Sequence, residues 1–248
     1  MKILKPIVFL TLSAIIFSVL ASADTSTREL HWYCNKTSDH SRPPAPVDAP
    51  NLDEYNTVYL GEDEKCVYLT FDLGYENENV ESILDTLKEE NVPATFFLLR
   101  HVVVSGKLLP RIIEEGHLCA NHTAHHKNMA KMGDIESFER ELCTLEEQFE
   151  KRFEKPLSKL WRTPEGAYSE QTLLWADELG YKTVFWSVAI PDWDENNQLS
   201  PEVAKRKLLD RVHNGAIILL HPTSSSNAKM LGEFIRELKS QGYEFRTL

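Results

Sequence analysis

The sequence is short of basic residues, since 27 lysines and arginines stand against 38 aspartates and glutamates, for a formal net charge of −11 at pH 7. Proteins that bind nucleic acid need a basic face for the phosphates, and an anionic membrane attracts a basic surface. The composition therefore argues against a nucleic-acid partner and against charge-driven docking on a membrane. It leaves open a carbohydrate substrate, which is recognised mostly by hydrogen bonds and stacking.

Cysteine is also scarce, and no two cysteines form a CxxC pair, so a zinc knuckle has no support. The four are Cys34, Cys66, Cys119 and Cys143. An exported chain could form disulfides, and four cysteines allow three full pairings. Cys66 and Cys119 fall in apolar, strand-like runs, so buried free thiols are the other expectation, and the pairing stays open.

Long apolar runs are missing except near the start of the chain. The 14-residue run IVFLTLSAIIFSVL follows the basic start MKILKP and precedes the small-x-small triplet ASA, which ends at Ala23. This run is shorter than the ~20 residues of a membrane span, and the pattern is typical of a secretory signal. We predict a signal peptide over 1–23, with Asp24 as the new N-terminus, and a secreted or cell-wall protein without a membrane segment. An uncleaved anchor is the alternative. Cleavage removes Lys2 and Lys5 and leaves a net charge of −13.

The remaining chain divides into an arm and a domain. Residues 24–61 are irregular, and the stretch SRPPAPVDAPN (41–51) holds four prolines, which exclude helix and central strand. This segment is expected to be an N-terminal arm that wraps the domain.

From residue 62 to 248, short apolar runs alternate with segments of helical periodicity. Seven predicted strands start near residues 66, 94, 117, 157, 181, 216 and 243. Alternating strands and helices imply parallel strands with right-handed crossovers. We predict a single α/β domain, a distorted barrel of about seven parallel strands that is closed or nearly closed.

Polar residues recur at or just past the carboxyl ends of these predicted strands: Asp72, His122, Arg162, Asp192 and His221. In a parallel α/β barrel these ends meet on one face, where active sites are built. Each residue alone is a weak signal, because an aspartate after a strand is usually a helix cap. Five on one face predict a functional site.

Five motifs in order carry a resemblance to a known family. They are TFDLGYEN (70–77), His122-Thr123-x-x-His126, Arg162-Thr163-Pro164-Glu165-Gly166, Asp192-Trp193 and Leu219-Leu220-His221. Over about residues 62–248 the chain resembles the polysaccharide deacetylases, the NodB-homology esterases of carbohydrate esterase family 4. The details TFDLGYEN, RTPEGAYSE and LLHPTSSSNAKML are similar to the branch that removes acetyl groups from peptidoglycan muramic acid, whose members make muramic δ-lactam in the spore cortex.

The resemblance implies that His122 and His126 bind a divalent metal, most simply zinc, with Thr123 bracing them. Their spacing of four suits one face of a helical turn, and His125 is expected to point elsewhere. The family usually completes this site with a second aspartate directly after the first. Here that position is Leu73, which cannot coordinate, so water, substrate or Glu76 would have to take its place.

The resemblance also implies a mechanism. Asp72 would be the general base, held by Arg162; the backbone N–H of Glu165 would bind the oxyanion; and His221, paired with Asp192, would protonate the leaving amine. Two aromatic residues in predicted loops, Tyr168 and Trp193, are expected to stack on sugar rings, whereas Trp161 and Trp186 lie in strand patterns and are expected in the core.

The predicted function is that of a secreted, metal-assisted N-deacetylase of peptidoglycan that acts on N-acetylmuramic acid. Two alternatives remain at this point. The substrate could be N-acetylglucosamine in peptidoglycan or chitin, or O-acetyl groups on xylan. The protein could also be a deacetylase-like module that binds glycan without hydrolysing it, and Leu73 is the best argument for that reading.

Overall fold

A computed structural model describes residues 25–37 and 39–248. The predicted signal peptide and its cleavage position lie outside the described residues. In the described part, no helix has both the length and the apolar character needed to cross a membrane.

The fold alternates strands and helices along most of its length. The strands are β1 (Leu30–His31), β2 (Thr57–Val58), β3 (Cys66–Leu73), β4 (Thr95–Leu98), β5 (Leu118–Asn121), β6 (Leu160–Trp161), β7 (Ala167–Tyr168), β8 (Lys182–Val184), β9 (Val188–Ala189), β10 (Ala216–Leu220) and β11 (Glu244–Phe245). The α-helices are α1 (Glu78–Glu89), α2 (Arg100–Ser105), α3 (Leu109–Glu114), α4 (Ile135–Phe153), α5 (Glu170–Glu178), α6 (Pro201–Leu209) and α7 (Ser225–Ser240).

One large parallel sheet forms the centre, in the order β2-β8-β6-β5-β4-β3-β10-β9, with β11 paired to the start of β3. The segment 182–189 pairs with β6 at its beginning and with β10 at its end, so one chain segment joins the two sides of the curled sheet. The prediction of a distorted barrel of parallel strands is confirmed. The strand predicted from residue 181 is broken into β8 and β9, because it bends from one neighbour to the other.

Strand β3 shows how the barrel sorts its side chains. Successive side chains point to opposite faces of a strand. Phe71 and Leu73 belong to the core between the sheet and the helices, together with Ile83 and Leu84 of α1, whereas Asp72 lies between them in sequence and lines a cavity. Leu73 is 0% exposed, so its side chain is a core residue and not part of the cavity.

The N-terminal arm packs along the domain and contributes short strands of its own. Strand β1 pairs with β7 in antiparallel fashion, and β2 adds to the edge of the large sheet beside β8. The ring of Trp32 stacks on Phe185 at 4.3 Å, and its Nε1–H donates to the carbonyl of Trp186 at 2.8 Å. The arm therefore supports the segment that joins the two sides of the barrel.

All four cysteines are free thiols, and Cys66 and Cys119 are buried. The expectation of buried thiols at these two positions is confirmed. Burial raises the pKa of the Cys119 thiol to about 12, so this side chain stays protonated and behaves as a small apolar residue.

Candidate active site

A cavity of about 560 Å³ opens at the carboxyl ends of the strands. Its wall includes most of the predicted site residues: Asp72, His122, His126, Glu165, Trp193 and His221. Arg162 and Asp192 lie directly behind this wall and are bonded to two of its members. The topology of the parallel barrel thus brings together residues that are far apart in the sequence.

The first pair in the site joins Asp72 to Arg162. Nη1 of Arg162 donates to Oδ1 of Asp72 at 2.8 Å, and Nη2 donates to the hydroxyl of Thr70 at 2.9 Å. Nε donates to the carbonyl of Val184 at 3.1 Å, and the guanidinium lies over the ring of Phe97. Arg162 is 0% exposed. The cation is therefore held in one orientation, and the sequence pattern gave no reason to single out Thr70 as part of its support.

The charge on Asp72 follows from this environment. Burial acts to raise the pKa of the carboxyl, but the charge and the hydrogen bond of Arg162, together with the charge of His221, outweigh it, so the pKa lies below its ordinary value. At neutral pH the carboxylate is ionised. It can accept a proton from a molecule in the cavity.

His122 is buried beside this pair and is fixed by a backbone carbonyl. Its Nδ1 lies 2.9 Å from the carbonyl oxygen of Arg162, which can only accept, so Nδ1 carries the proton. Nε2 then keeps its lone pair and lies 3.6 Å from Oδ2 of Asp72. Burial lowers the pKa of His122 to about 4, so the ring is neutral. A neutral imidazole oriented by a carbonyl is the usual state of a metal-binding histidine.

The segment from His122 to His126 is a loop and not the helical turn that its spacing suggested. Thr123 and His126 have φ angles of 71° and 53°, in the left-handed region that no α-helix contains. The hydroxyl of Thr123 accepts the backbone N–H of His126 at 3.1 Å, which agrees with the bracing role expected of it. The two imidazole rings still come together, with centroids 5.1 Å apart.

A buried carboxylate on α4, Glu141, holds this loop from below. Its side chain accepts the backbone N–H of His125 at 3.0 Å and the Nζ of Lys127 at 2.8 Å, and its own carbonyl accepts the N–H of Ala124 at 2.9 Å. The ring of His125 also contacts this carboxylate. Sequence reasoning missed Glu141. The available signal was an acidic residue on the apolar face of a long helix, three residues after Phe138.

Two imidazoles, those of His122 and His126, face the cavity where the resemblance places a metal. Leu73 faces the core, and the Glu76 carboxylate accepts the backbone N–H groups of Lys107 and Leu108 at 2.7 and 2.9 Å, so the suggestion that Glu76 completes the site is wrong. Within residues 25–37 and 39–248, no three histidine, cysteine or acidic side chains are grouped for a metal. The rings of His122 and His126 fit a divalent cation as its only histidine ligands.

The second pair in the site joins Asp192 to His221. Oδ1 of Asp192 accepts Nδ1–H of the ring at 2.8 Å, and Oδ2 accepts the backbone N–H of His221, also at 2.8 Å. Burial acts to lower the pKa of His221, but the hydrogen bond and charge of Asp192 outweigh it and raise the pKa above its ordinary value. The imidazole therefore holds its proton to higher pH. Its Nε2 is left for a partner in the cavity.

The Arg-Thr-Pro-Glu-Gly segment brings backbone to the cavity wall. Glu165 has a φ of 58° and Gly166 a φ of 65°, so the chain turns through two left-handed residues. A Cβ at Gly166 would lie 3.0 Å from the Trp186 ring, a contact that would force the ring to shift, and the positive φ also favours glycine. The N–H of Glu165 as an oxyanion donor stays a prediction, and the position of this turn beside Asp72 and His221 agrees with it.

The aromatic residues divide differently from the prediction. Tyr168, in β7, is 1% exposed and packs against Phe185. The prediction that it stacks on a sugar is therefore wrong. Trp161 is buried, as predicted. Trp193 is 70% exposed at the cavity rim, and Trp186, expected in the core, is only partly buried and lines the cavity.

Comparison with known proteins agrees with this geometry. The family model for polysaccharide deacetylase matches residues 60–184. The peptidoglycan-N-acetylmuramic acid deacetylase PdaA of Bacillus subtilis is 38% identical over 88% of this chain and 84% of its own length. The solved structure of PdaA, a family 4 carbohydrate esterase, superposes with a TM-score of 0.84 at 37% identity and covers 90% of this chain and 96% of that one.

Two further relatives mark the range of the family. The peptidoglycan-N-acetylglucosamine deacetylase PgdA of Listeria monocytogenes is 34% identical over 83% of this chain and 41% of its own length. A carbohydrate esterase family 4 pseudoenzyme from Bacillus anthracis superposes with a TM-score of 0.69 at 28% identity, over 77% of this chain and 67% of that one. On its motifs, fold and relatives, this chain belongs to the polysaccharide deacetylase family, carbohydrate esterase family 4.

Proposed function

We propose that this protein hydrolyses the N-acetyl group of N-acetylmuramic acid in peptidoglycan glycan strands. The observation that carries the proposal is the presence, in one cavity, of an ionised carboxylate at Asp72 and a proton-holding imidazole at His221. Amide hydrolysis needs both groups, one to activate water and one to protonate the amine. The likeness to PdaA over most of both chains supports the choice of sugar.

Asp72 acts as the general base. Arg162 occupies Oδ1, which leaves Oδ2 to take a proton from the water molecule that attacks the acetyl carbon. Because Arg162 is always charged and fully buried, it keeps the carboxylate ionised and in one orientation throughout the reaction. The oxyanion that forms on the acetyl oxygen accepts the backbone N–H of Glu165, at the position where the turn meets the cavity.

His221 acts as the general acid. Its Nδ1–H is bound to Asp192, so Nε2 donates the proton that the departing sugar nitrogen needs when the carbon–nitrogen bond breaks. The products are acetate and a free amine on the sugar. In muramic acid this amine lies near the lactyl carboxyl group, so lactam closure can follow. The proposal also includes a role in the spore cortex and export through the signal peptide.

His122 and His126 are the side chains that would hold a divalent metal, and zinc suits two imidazole ligands. When bound, such an ion supplies Lewis acidity toward the acetyl oxygen and toward water. The protein's own part is to keep the His122 ring neutral and oriented through the carbonyl of Arg162 and to hold the loop through Thr123 and Glu141.

Two observations favour other readings. The likeness to PgdA favours N-acetylglucosamine as the sugar. The likeness to a pseudoenzyme, together with a core leucine at position 73, favours a module that binds glycan without turnover. Against the second reading, Asp72, Arg162, Asp192 and His221 all keep the contacts that catalysis requires.

The test is to incubate the purified protein with peptidoglycan, with and without prior removal of stem peptides by an amidase, and to analyse the muropeptides by mass. We expect the loss of one acetyl group from muramic acid. Loss from glucosamine alone would change the substrate, and unchanged masses on both substrates, with glycan binding retained, would favour the binding module.

A further inference from the structure

We propose that Asn227, in the first turn of α7, is a positioning residue that fixes Asp192 so that His221 can serve as the proton donor. The inference rests on the proposed function, because it assigns a role within that reaction. Asn227 is 0% exposed and is not itself among the residues that line the cavity. Its effect on catalysis must therefore pass through Asp192 and His221.

The side-chain amide of Asn227 joins the two motif segments. Nδ2 donates to Oδ2 of Asp192 at 2.5 Å and to the carbonyl of His221 at 3.0 Å. Both of its N–H groups are thus used, one on each segment. The remaining oxygen of Asp192, Oδ1, is the one that meets the imidazole Nδ1 at 2.8 Å.

The oxygen of the amide supports this interpretation. Oδ1 of Asn227 is buried and has no hydrogen-bond partner among the described residues. A flipped amide would set an oxygen against the oxygens of Asp192 and His221, so the orientation is fixed by the donors. A buried acceptor without a partner destabilises the folded protein. An apolar residue at position 227 would avoid this cost, so the contribution of Asn227 lies in its two N–H donors.

The neutral charge of Asn227 matters as much as its geometry. A lysine or arginine in this place would also donate to Asp192, but its positive charge would oppose protonation of His221. The amide orients the carboxylate and leaves its negative charge to the imidazole. By contrast, Asp72 is oriented by a cation, which suits a group that must stay ionised.

The position of Asn227 follows from the start of α7. Ser224 caps the helix, and its hydroxyl accepts the backbone N–H of Asn227 at 3.2 Å. Asn227 therefore lies in the first turn of the helix, a short distance along the chain from the end of β10 at Leu220, and its side chain reaches back to both segments. This accounts for the six-residue spacing between His221 and Asn227.

The test compares Asn227→Leu, which keeps the size and removes both donors, with Met230→Ala, which loosens the same helix in the core without touching Asp192. We expect kcat for deacetylation to fall by about 10- to 100-fold in Asn227→Leu with little change in KM, since a misplacement of about 1 Å can cost 10²-fold. Met230→Ala should keep its kcat. In a double-mutant cycle, Asn227→Leu should add little in the Asp192→Asn background. Additive losses, or an unchanged kcat in Asn227→Leu, would overturn the proposal.

A second measurement needs no turnover and separates this proposal from the proposed function. The Nδ1–H proton of His221, bonded to a buried carboxylate, should give a low-field proton NMR signal in the wild type and in Met230→Ala, and should lose it in folded Asn227→Leu. If the signal survives in Asn227→Leu, or is missing from the wild type, Asn227 does not position the pair. An inactive wild type that shows the expected signals would contradict the deacetylase function alone.

Discussion

Asp72 and Asp192 are both nearly buried carboxylates, with side chains 9% and 3% exposed, yet they have different partners. Asp72 is bonded to a guanidinium, which keeps its protons at any pH that a folded protein survives. Asp192 is bonded to an imidazole and to a neutral amide. Asp72 reaches the cavity directly, whereas Asp192 acts on it only through His221.

The bonded partner of each carboxylate, and not its depth of burial, therefore decides its proposed task. A fixed cation holds Asp72 ionised, which suits its proposed role as the base. The charge of Asp192 instead raises the pKa of its titratable partner, so that the proton is held on the His221 ring. Environments that push neighbouring groups in opposite directions are the usual way in which one site runs acid and base chemistry at the same pH.

The largest expected effect comes from removing the base. Asp72→Asn keeps the volume and an oxygen that can accept from Arg162, but an amide cannot take a proton from water. We expect kcat to fall by about 10²- to 10⁴-fold, the usual contribution of a general base, in an assay of acetyl release from muropeptides.

The control for Asp72→Asn is its unfolding midpoint together with glycan binding in a pull-down. The variant should remain folded and still bind, because the amide oxygen keeps a partner for the buried guanidinium. A rate near that of the wild type would remove Asp72 from the mechanism.

A carboxylate introduced at position 73, directly after Asp72, should not reach the Asp72–Arg162 pair. Leu73 points into the core on the opposite face of β3, so Leu73→Asp would bury a charge without a partner. We expect the free energy of unfolding to drop by about 3–5 kcal/mol. Chemical denaturation measures this loss, with Leu73→Met as the matched control.

Zinc titration by calorimetry sharpens the same point. If Leu73→Asp stayed as stable as the wild type and bound zinc more tightly, residue 73 would face the metal, and the assignment of this side chain to the core would be wrong.

Removing the second carboxylate should act on the pH dependence. The pKa of His221 is raised above its ordinary value, and the acid must be protonated, so activity is present at low pH and is lost as pH rises through this raised pKa. Asp192→Asn removes the main cause of this increase, whereas burial, which lowers the pKa of His221, remains. The alkaline limb of the pH profile of kcat should therefore move to lower pH, and kcat at neutral pH should fall. An unmoved limb would separate Asp192 from the acid.

A substitution at the cavity rim, outside the Asp72–Arg162 and Asp192–His221 pairs, should have the smallest effect. Trp193 is exposed beside the cavity, and the loss of its ring in Trp193→Ala should raise KM by about 2- to 10-fold with kcat nearly unchanged, as expected for a stacking contact of ~0.5–1.5 kcal/mol. Tyr33→Ala, an exposed aromatic residue that does not line the cavity, is the control. Equal KM values in the two variants would exclude stacking at Trp193.

The sequence predicted the barrel and the convergence of Asp72, Arg162 and His221, because these depend on local patterns and on a general rule of parallel strands. It did not predict the path of the loop from His122 to His126. Non-glycine residues in left-handed conformations, such as Thr123 and His126, leave no mark in the pattern, and a spacing of four is read as helical by default.

Contacts between distant segments were also beyond local reasoning. Tyr168 stands in a stretch with a loop-like pattern, but the pairing of β7 with the arm at Leu30 buries it. Glu141 and Asn227 are polar residues in helices, and each bonds to a distant part of the chain. Glu141 accepts from His125, and Asn227 donates to Asp192 of another motif. Such buried polar contacts are set by the assembled fold, and only a structure locates them.

The most direct test of the central claim is to count acetate and free glycan amines together after incubation of peptidoglycan with the wild type and with Asp72→Asn. Hydrolysis driven by Asp72 and His221 predicts equal amounts of the two products from the wild type, and formation of both at a rate about 10²- to 10⁴-fold lower in Asp72→Asn. Neither product from the wild type, or equal rates for the two proteins, would contradict the account.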